Sequence, residues 1–166
     1  MLFYNARIFP VVGDVIPLGY IRTENSKIAE IASGTPENIS SDDIDCGGLT
    51  LMPGLIDSHS HLGFIGDGAG MEGDDVNEAS DPVTPQLRAI DGINFTDGYF
   101  KDAQRCGVTC AVTGCGSTNP IGGTFAAIKT AGRYIDEMVV ADCAVKFALG
   151  ENPKSCYSDR DESPMT

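Results

Sequence analysis

A compact apolar stretch over residues 49–56, broken by Pro53-Gly54, runs straight into Asp57-Ser58-His59-Ser60-His61. A short continuous apolar run of this kind predicts a strand covered on both faces, as in a parallel sheet. Both histidines of the protein fall inside this one pentapeptide. On an extended strand, residues i and i+2 point the same way. Asp57, His59 and His61 are therefore expected on one face, at the strand's C-terminal end, where barrels and open parallel sheets bind ligands. Two imidazoles on one face can grip a single divalent cation, and zinc, iron, manganese and nickel all suit imidazole. Asp57 would either orient a histidine through its second nitrogen or act as a structural acceptor. The competing reading is a pair of solvated or hydrogen-bonded loop histidines.

Elsewhere the pattern alternates between strands and short helices or loops. Residues 2–9, 15–22 and 27–32 read as strands, with turn signals at Gly13-Asp14 and Asn25-Ser26. A meander this small is marginal alone and is expected to pack on something else. Residues 63–82 carry glycines and acids with no Lys or Arg between them, among them Asp67, Gly68, Glu72 and Asp81. Long loops of this kind are functional or merely solvated. Thr84-Pro85 predicts a helix start with Leu87, Ile90 and Ile93 facing inward. Thr96 predicts a second, with Phe95 and Phe100 at hydrophobic-staple spacing and Gly107 as its stop. Strands are expected at 108–113, 125–130 and 144–149, a short helix or turn at 135–140, and a polar tail after Gly150. From residue 50 onward this is the pattern of a parallel α/β sheet.

Composition narrows the function. Eleven Lys and Arg against 24 Asp and Glu leave a net charge of −13. With no basic run, neither nucleic acid nor an anionic membrane is an expected partner. No apolar run approaches the length of a membrane span, and Met-Leu-Phe-Tyr-Asn at the N-terminus lacks the layout of a signal peptide. The expectation is a cytoplasmic protein whose six cysteines are mostly reduced. None of them forms a Cys-x-x-Cys pair, so a zinc ribbon is poorly supported. A thiol site built on Cys106, Cys110 and Cys115 has little spacing support either.

Pro53-Gly54-Leu55-Ile56-Asp57-Ser58-His59-Ser60-His61-Leu62-Gly63 resembles the first barrel strand of the amidohydrolase superfamily of metal-dependent hydrolases. The strands within 1–34 are similar to the N-terminal part of that family's small β-sandwich. Asp75-Val76-Asn77-Glu78, the run 81–89, Gly107-Val108-Thr109 and Ala148-Leu149-Gly150-Glu151-Asn152-Pro153-Lys154 resemble its imidazolonepropionase-related branch. The resemblance implies an α/β fold: the first part of a (β/α)8 TIM-type barrel, preceded by strands of a small β-sandwich. Residues 1–52 would belong to the sandwich, and 53–166 would form the first three to four βα units of the barrel. It implies a divalent metal, zinc foremost with iron, manganese or nickel as options, and a metal-activated water that cleaves a C–N bond of an amide or cyclic amide. His59 and His61 match the family's first-strand ligands. Lys146 matches the position of a lysine that, carboxylated by CO₂, bridges two metals in binuclear members. It could equally be an ordinary lysine at a strand edge. Ser117, Thr118 and Asn119, in the loop 114–123 after the second barrel-type strand, would hydrogen-bond a small-molecule substrate, and a plain turn is the alternative.

The sequence also departs from the family pattern. It contains no third histidine and no counterpart of the family's late catalytic aspartate, and it has 166 residues where a closed barrel takes about 250. The expectation is an N-terminal portion, inactive alone, that self-associates or pairs with the missing C-terminal portion through open sheet edges. The alternative is a complete, non-catalytic small metal-binding or interaction protein derived from an amidohydrolase.

Overall fold

The structure, a computed structural model, describes residues 1–66 and 70–160. Asp67 and Gly68 of the acidic loop, and the tail from 161 onward, lie outside the described residues. Two compact units divide the chain, Met1–Pro53 and Gly54–Thr166.

In the first unit, β1 (Leu2–Ile8), β2 (Ile16–Glu24) and β3 (Lys27–Ser33) form an antiparallel meander. The β2–β3 turn follows from its residue types. Asn25 and Ser26 both sit at positive φ, 49° and 61°, the type I′ geometry whose twist matches flanking strands. Two short strands, β4 (Ile44–Asp45) and β5 (Thr50–Leu51), run parallel to β1 on its other side. Leu2, Ala6 and Ile8 are its buried apolar residues, spaced at the even period of a strand with one face covered.

The second unit holds the sheet β6-β7-β8-β9, made of Leu55–Ser60, Val108–Thr113, Ile121–Lys129 and Val139–Phe147. Only β6 and β7 are parallel, and both later pairs are antiparallel. The uniformly parallel sheet expected from the alternation is thus a mixed one, and connection length explains it. A long crossover with α1 (Ala89–Gly92) and α2 (Tyr99–Arg105) separates β6 from β7. Only residues 114–120 separate β7 from β8, and only 130–138, with the one-turn α3 (Ile135–Met138), separate β8 from β9. A parallel return needs a dozen or more residues. α4 (Glu151–Cys156) closes the described part, where a polar tail was expected.

The core lies where α1 and α2 meet the sheet: Phe64, Ala89, Ile93, Phe100, Ala126, Ile128 and Met138. Gly63 is required there. Its φ is +88°, and a Cβ would come within 2.8 Å of Ile93 Cγ2. The helix expected from Thr84-Pro85 begins only at Ala89. Residues 83–88 lie along β8 instead, with Thr84 N donating to Ile121 O (2.8 Å) and Thr124 N donating to Leu87 O (2.8 Å). Thr96 does not cap α2. Its hydroxyl donates to Asn94 Oδ1 (2.7 Å), and the Asp97 carboxylate accepts from Tyr99 N (3.0 Å) at the helix start. Nor is β6 covered on both faces. It is an edge strand of this sheet, with Leu55 50% and Ile56 68% exposed.

Candidate functional site

The histidines sit where β6 leaves the sheet. The β6–β7 register slips by one residue between Asp57 and Ser60. That extra residue interrupts the two-residue alternation that would align Asp57, His59 and His61 on one face. Asp57 accepts a hydrogen bond from the backbone N–H of His59 (3.1 Å). Of its two expected roles, structural acceptor is the one observed, and the carboxylate braces the bulge. Ser60 Oγ donates to Val112 O (3.3 Å), and Thr113 Oγ1 donates to Leu62 O (2.8 Å). These two bonds pin the exit of β6 to the exit of β7.

The partly buried His61 places Nδ1 2.7 Å from the carbonyl oxygen of Gly114. A carbonyl only accepts, so Nδ1 carries a proton, and in the neutral imidazole the lone pair is then on Nε2. This is the arrangement by which a backbone carbonyl sets a metal-ligating imidazole. The rings of His59 and His61 lie edge to face, with centroids 5.6 Å apart. Phe125 of β8, only 3% exposed, joins them. Its centroid is 5.3 Å from that of His59 and 6.3 Å from that of His61. Lys146 of β9 reaches the same ring, with Nζ 5.8 Å from the centroid, within cation–π range. His59, His61 and Lys146 thus converge on one phenyl ring. Gly114 makes this possible, because a Cβ there would collide with Phe125.

Ser117 and Thr118 line a cleft of about 520 Å³ that His61 borders, together with Asn77, Asn152 and Cys156. Ser117 Oγ accepts from Asn152 Nδ2 (2.6 Å), and Thr118 Oγ1 donates to Glu78 O (3.0 Å). Asn119 is placed differently. It is 3% exposed, donates to Thr84 Oγ1 (2.8 Å) and accepts from the Tyr157 hydroxyl (2.6 Å). Its amide is committed to holding the loop, which leaves Ser117 and Thr118 as the loop side chains facing the cleft. Burial pushes the Tyr157 phenol above its ordinary value. Hydrogen bonds from Ser80, side chain and backbone, hold the Glu78 carboxyl below its own.

Among the described residues, no three of His, Cys, Asp and Glu group to hold a metal ion. The donors that do come together are the two imidazoles, and the His61 tautomer suits a metal ligand. Phe125, Asn152 and Tyr157 are the site residues that sequence reasoning missed. The Gly150-Glu151-Asn152-Pro153 segment carried one signal, since Gly followed by an acid and Pro inside the first turn is a helix start.

No family model matches the sequence. Comparison with individual proteins does place it: the chain belongs to the amidohydrolase superfamily and spans part of the length of its relatives. It superposes over 99% of its length on the crystal structure of an amidohydrolase from Thermotoga maritima MSB8, with TM-score 0.92 and 37% identity, covering 43% of that chain. It is 33% identical, over 90% of its length, to amidohydrolase tasK of Hapsidospora irregularis, of which it spans 17%. It is 27% identical, over 94% of its length, to imidazolonepropionase of Streptomyces griseus, of which it spans 44%. The chain therefore spans less than half the length of each of these relatives. No helix among the described residues is long and apolar enough to cross a membrane.

Proposed function

We propose that this chain is the first part of a metal-dependent hydrolase that cleaves a C–N bond in an amide or cyclic amide. In this reading 1–52 contributes to a small β-sandwich, and 53–166 contributes to a TIM-type barrel through its one parallel pair, β6 and β7, while the antiparallel β8 and β9 depart from the all-parallel pattern of such a barrel. The observation that carries the proposal is the 2.7 Å contact of His61 Nδ1 with the Gly114 carbonyl, beside the ring of His59. It turns Nε2 of His61 into a fixed lone-pair donor, as a ligand must be.

His59 and His61 would hold the metal, with zinc the first to test. The chemistry supplied by a divalent metal held there is Lewis acidity and an activated water. The chain's own residues prepare the place for it. Gly114 fixes the tautomer of His61. Phe125 backs both imidazoles with an apolar ring and keeps water from that side. Lys146, against the same ring, stands ready as the bridging lysine. Ser117 and Thr118 face the cleft where the substrate would lie. Two imidazoles fall short of a closed coordination shell, so the portion is inactive until further donors join it. Exposed apolar residues at both sheet edges, Ile56 on β6 and Val145 and Phe147 on β9, suit pairing with the rest of such a barrel. Six free thiols suit the reducing cytoplasm.

Zinc content after equilibration and desalting tests the assignment. The chain should retain zinc, and the His59→Ala/His61→Ala double variant should lose it while keeping its circular dichroism. Equal retention by the two would sink the proposal.

A further inference from the structure

Asp97 carries a charge whose counterpart this chain does not supply. The residue is 5% exposed. Its Oδ1 accepts from Tyr99 N (3.0 Å), and its Oδ2 is buried with no hydrogen-bond partner. A buried carboxylate oxygen in that state is costly unless a donor or a cation comes to it. Asp97 borders a cavity of about 380 Å³ between α2 and the β6–β7 pair. Asp57 of β6 borders the same cavity, with Oδ1 accepting from His59 N (3.1 Å). Neither acid forms an ion pair among the described residues. All 11 Lys and Arg of the sequence lie among those residues, and none of them borders the cavity. A positive charge for this place therefore comes from outside the 166 residues.

The rest of the wall indicates what should carry that charge. Leu62, Ile65, Ala103, Val108 and Ala111 make it apolar. Ser60 Oγ is committed to Val112 O, and His61 Nδ1 to Gly114 O. A bare metal ion is poorly served, since no three of His, Cys, Asp and Glu group among the described residues and hard cations need many oxygen ligands. An ammonium on an alkyl stem suits both parts of the wall: the head lies near the carboxylates and the stem packs on the aliphatic side chains. We propose that this cavity is a binding site for a primary alkylammonium group, with Asp97 and Asp57 as its counter-charges. A free aliphatic amine and a lysine side chain share that chemistry. The site does not depend on the metal reading above.

The test titrates three probes of similar size, n-butylammonium, 1-butanol and butyrate, into the zinc-free, isotope-labelled chain at pH 7.5, followed by amide NMR shifts. n-Butylammonium should move the signals of Asp97, Tyr99 and Ala103 and bind at least about tenfold more tightly than 1-butanol. Butyrate should not bind, and sodium chloride should weaken n-butylammonium. Asp97→Asn keeps Oδ1 for Tyr99 N, removes the charge, and should weaken n-butylammonium by about tenfold. Asp57→Asn, at an exposed position, should weaken it by less. Lysine capped at both ends, as the Nα-acetyl methylamide, separates the two sources. Binding as tight as that of n-butylammonium assigns the cavity to a lysine side chain, and binding at least about tenfold weaker assigns it to a free amine; either result upholds the proposal. Equal binding of n-butylammonium and 1-butanol, no shift at these residues, or undiminished binding in an Asp97→Asn chain of unchanged circular dichroism would overturn it. Should Asp97→Asn fail to fold, the three probes on the parent chain decide. Zinc retention unaffected by loss of His59 and His61, with n-butylammonium binding intact, would instead overturn the metal reading and spare this one.

Discussion

In Met1–Pro53 the buried residues are apolar or small: Leu2, Ala6 and Ile8 on one face of β1. In Gly54–Thr166 an apolar cluster around Phe64 and Phe100 is accompanied by buried polar side chains, among them Thr84, Thr113, Asn119 and Thr130. These polar groups share a role. Thr113 bonds the chain leaving β6, Asn119 bonds Thr84 and Tyr157, and Thr130 Oγ1 donates to Val108 O (2.9 Å). All of them tie loops to strand ends. Burying polar groups is tolerable only when they are paired, and each pairing fixes a loop in one place. The first unit needs strands that stay together. The second needs loops that stay put, because the proposed site sits on them.

Mutations can break or sharpen that contrast. The largest effect is expected from Phe125→Ala, which empties the ring shared by His59, His61 and Lys146. It should cost about 3–5 kcal/mol of stability, read by urea denaturation, and should weaken zinc retention as well. Asn119→Ala leaves the Tyr157 hydroxyl and Thr84 without their partner and should cost about 1–3 kcal/mol; Tyr157→Phe should cost less, because one bond is lost instead of two. In the first unit, Asn25→Val forces a β-branched residue into positive φ and should cost about 1–2 kcal/mol, whereas Asn25→Gly should be nearly neutral. An Asn119→Ala variant as stable as the parent would end the contrast between the units.

The smallest effect is one of pH. Backbone N–H groups of Ser40 and Leu2 bond the Asp43 carboxylate, both at 2.8 Å, and hold its pKa below the ordinary 3.8. A carboxyl lowered in the folded state gives stability that is fully present above the unfolded value and is lost as pH falls through the lowered one. Protection of the Leu2 and Ser40 amides against hydrogen exchange, measured relative to the intrinsic rate at each pH, should therefore fall below about pH 4, and Asp43→Asn should abolish that step.

How much was legible in the sequence follows the same division. The β2–β3 hairpin could be read because Asn25-Ser26 is a local signal. The pairing of His59 with His61 could be read because two residues separate them. The role of Asp57 was left open because a bulge, set by the partner strand, interrupts the alternation. Thr84 looked like a helix cap because nothing local shows that β8, far along the chain, would claim residues 83–88. Phe125 went unnoticed for the same reason. Its partners lie on β6, β9 and the loop after β7, and only the folded sheet brings them together. The family likeness was readable from motif, and it extended further than any periodicity argument reached.

The central claim is that Gly114 holds His61 as a fixed metal ligand through Nε2. Imidazole nitrogen-15 NMR tests it directly. Before zinc is added, the Nδ1 signal of His61 should be that of a protonated nitrogen. On titration with zinc, Nε2 should shift while Nδ1 stays protonated. A zinc-induced shift at Nδ1, or none at either nitrogen of His61, would contradict the account.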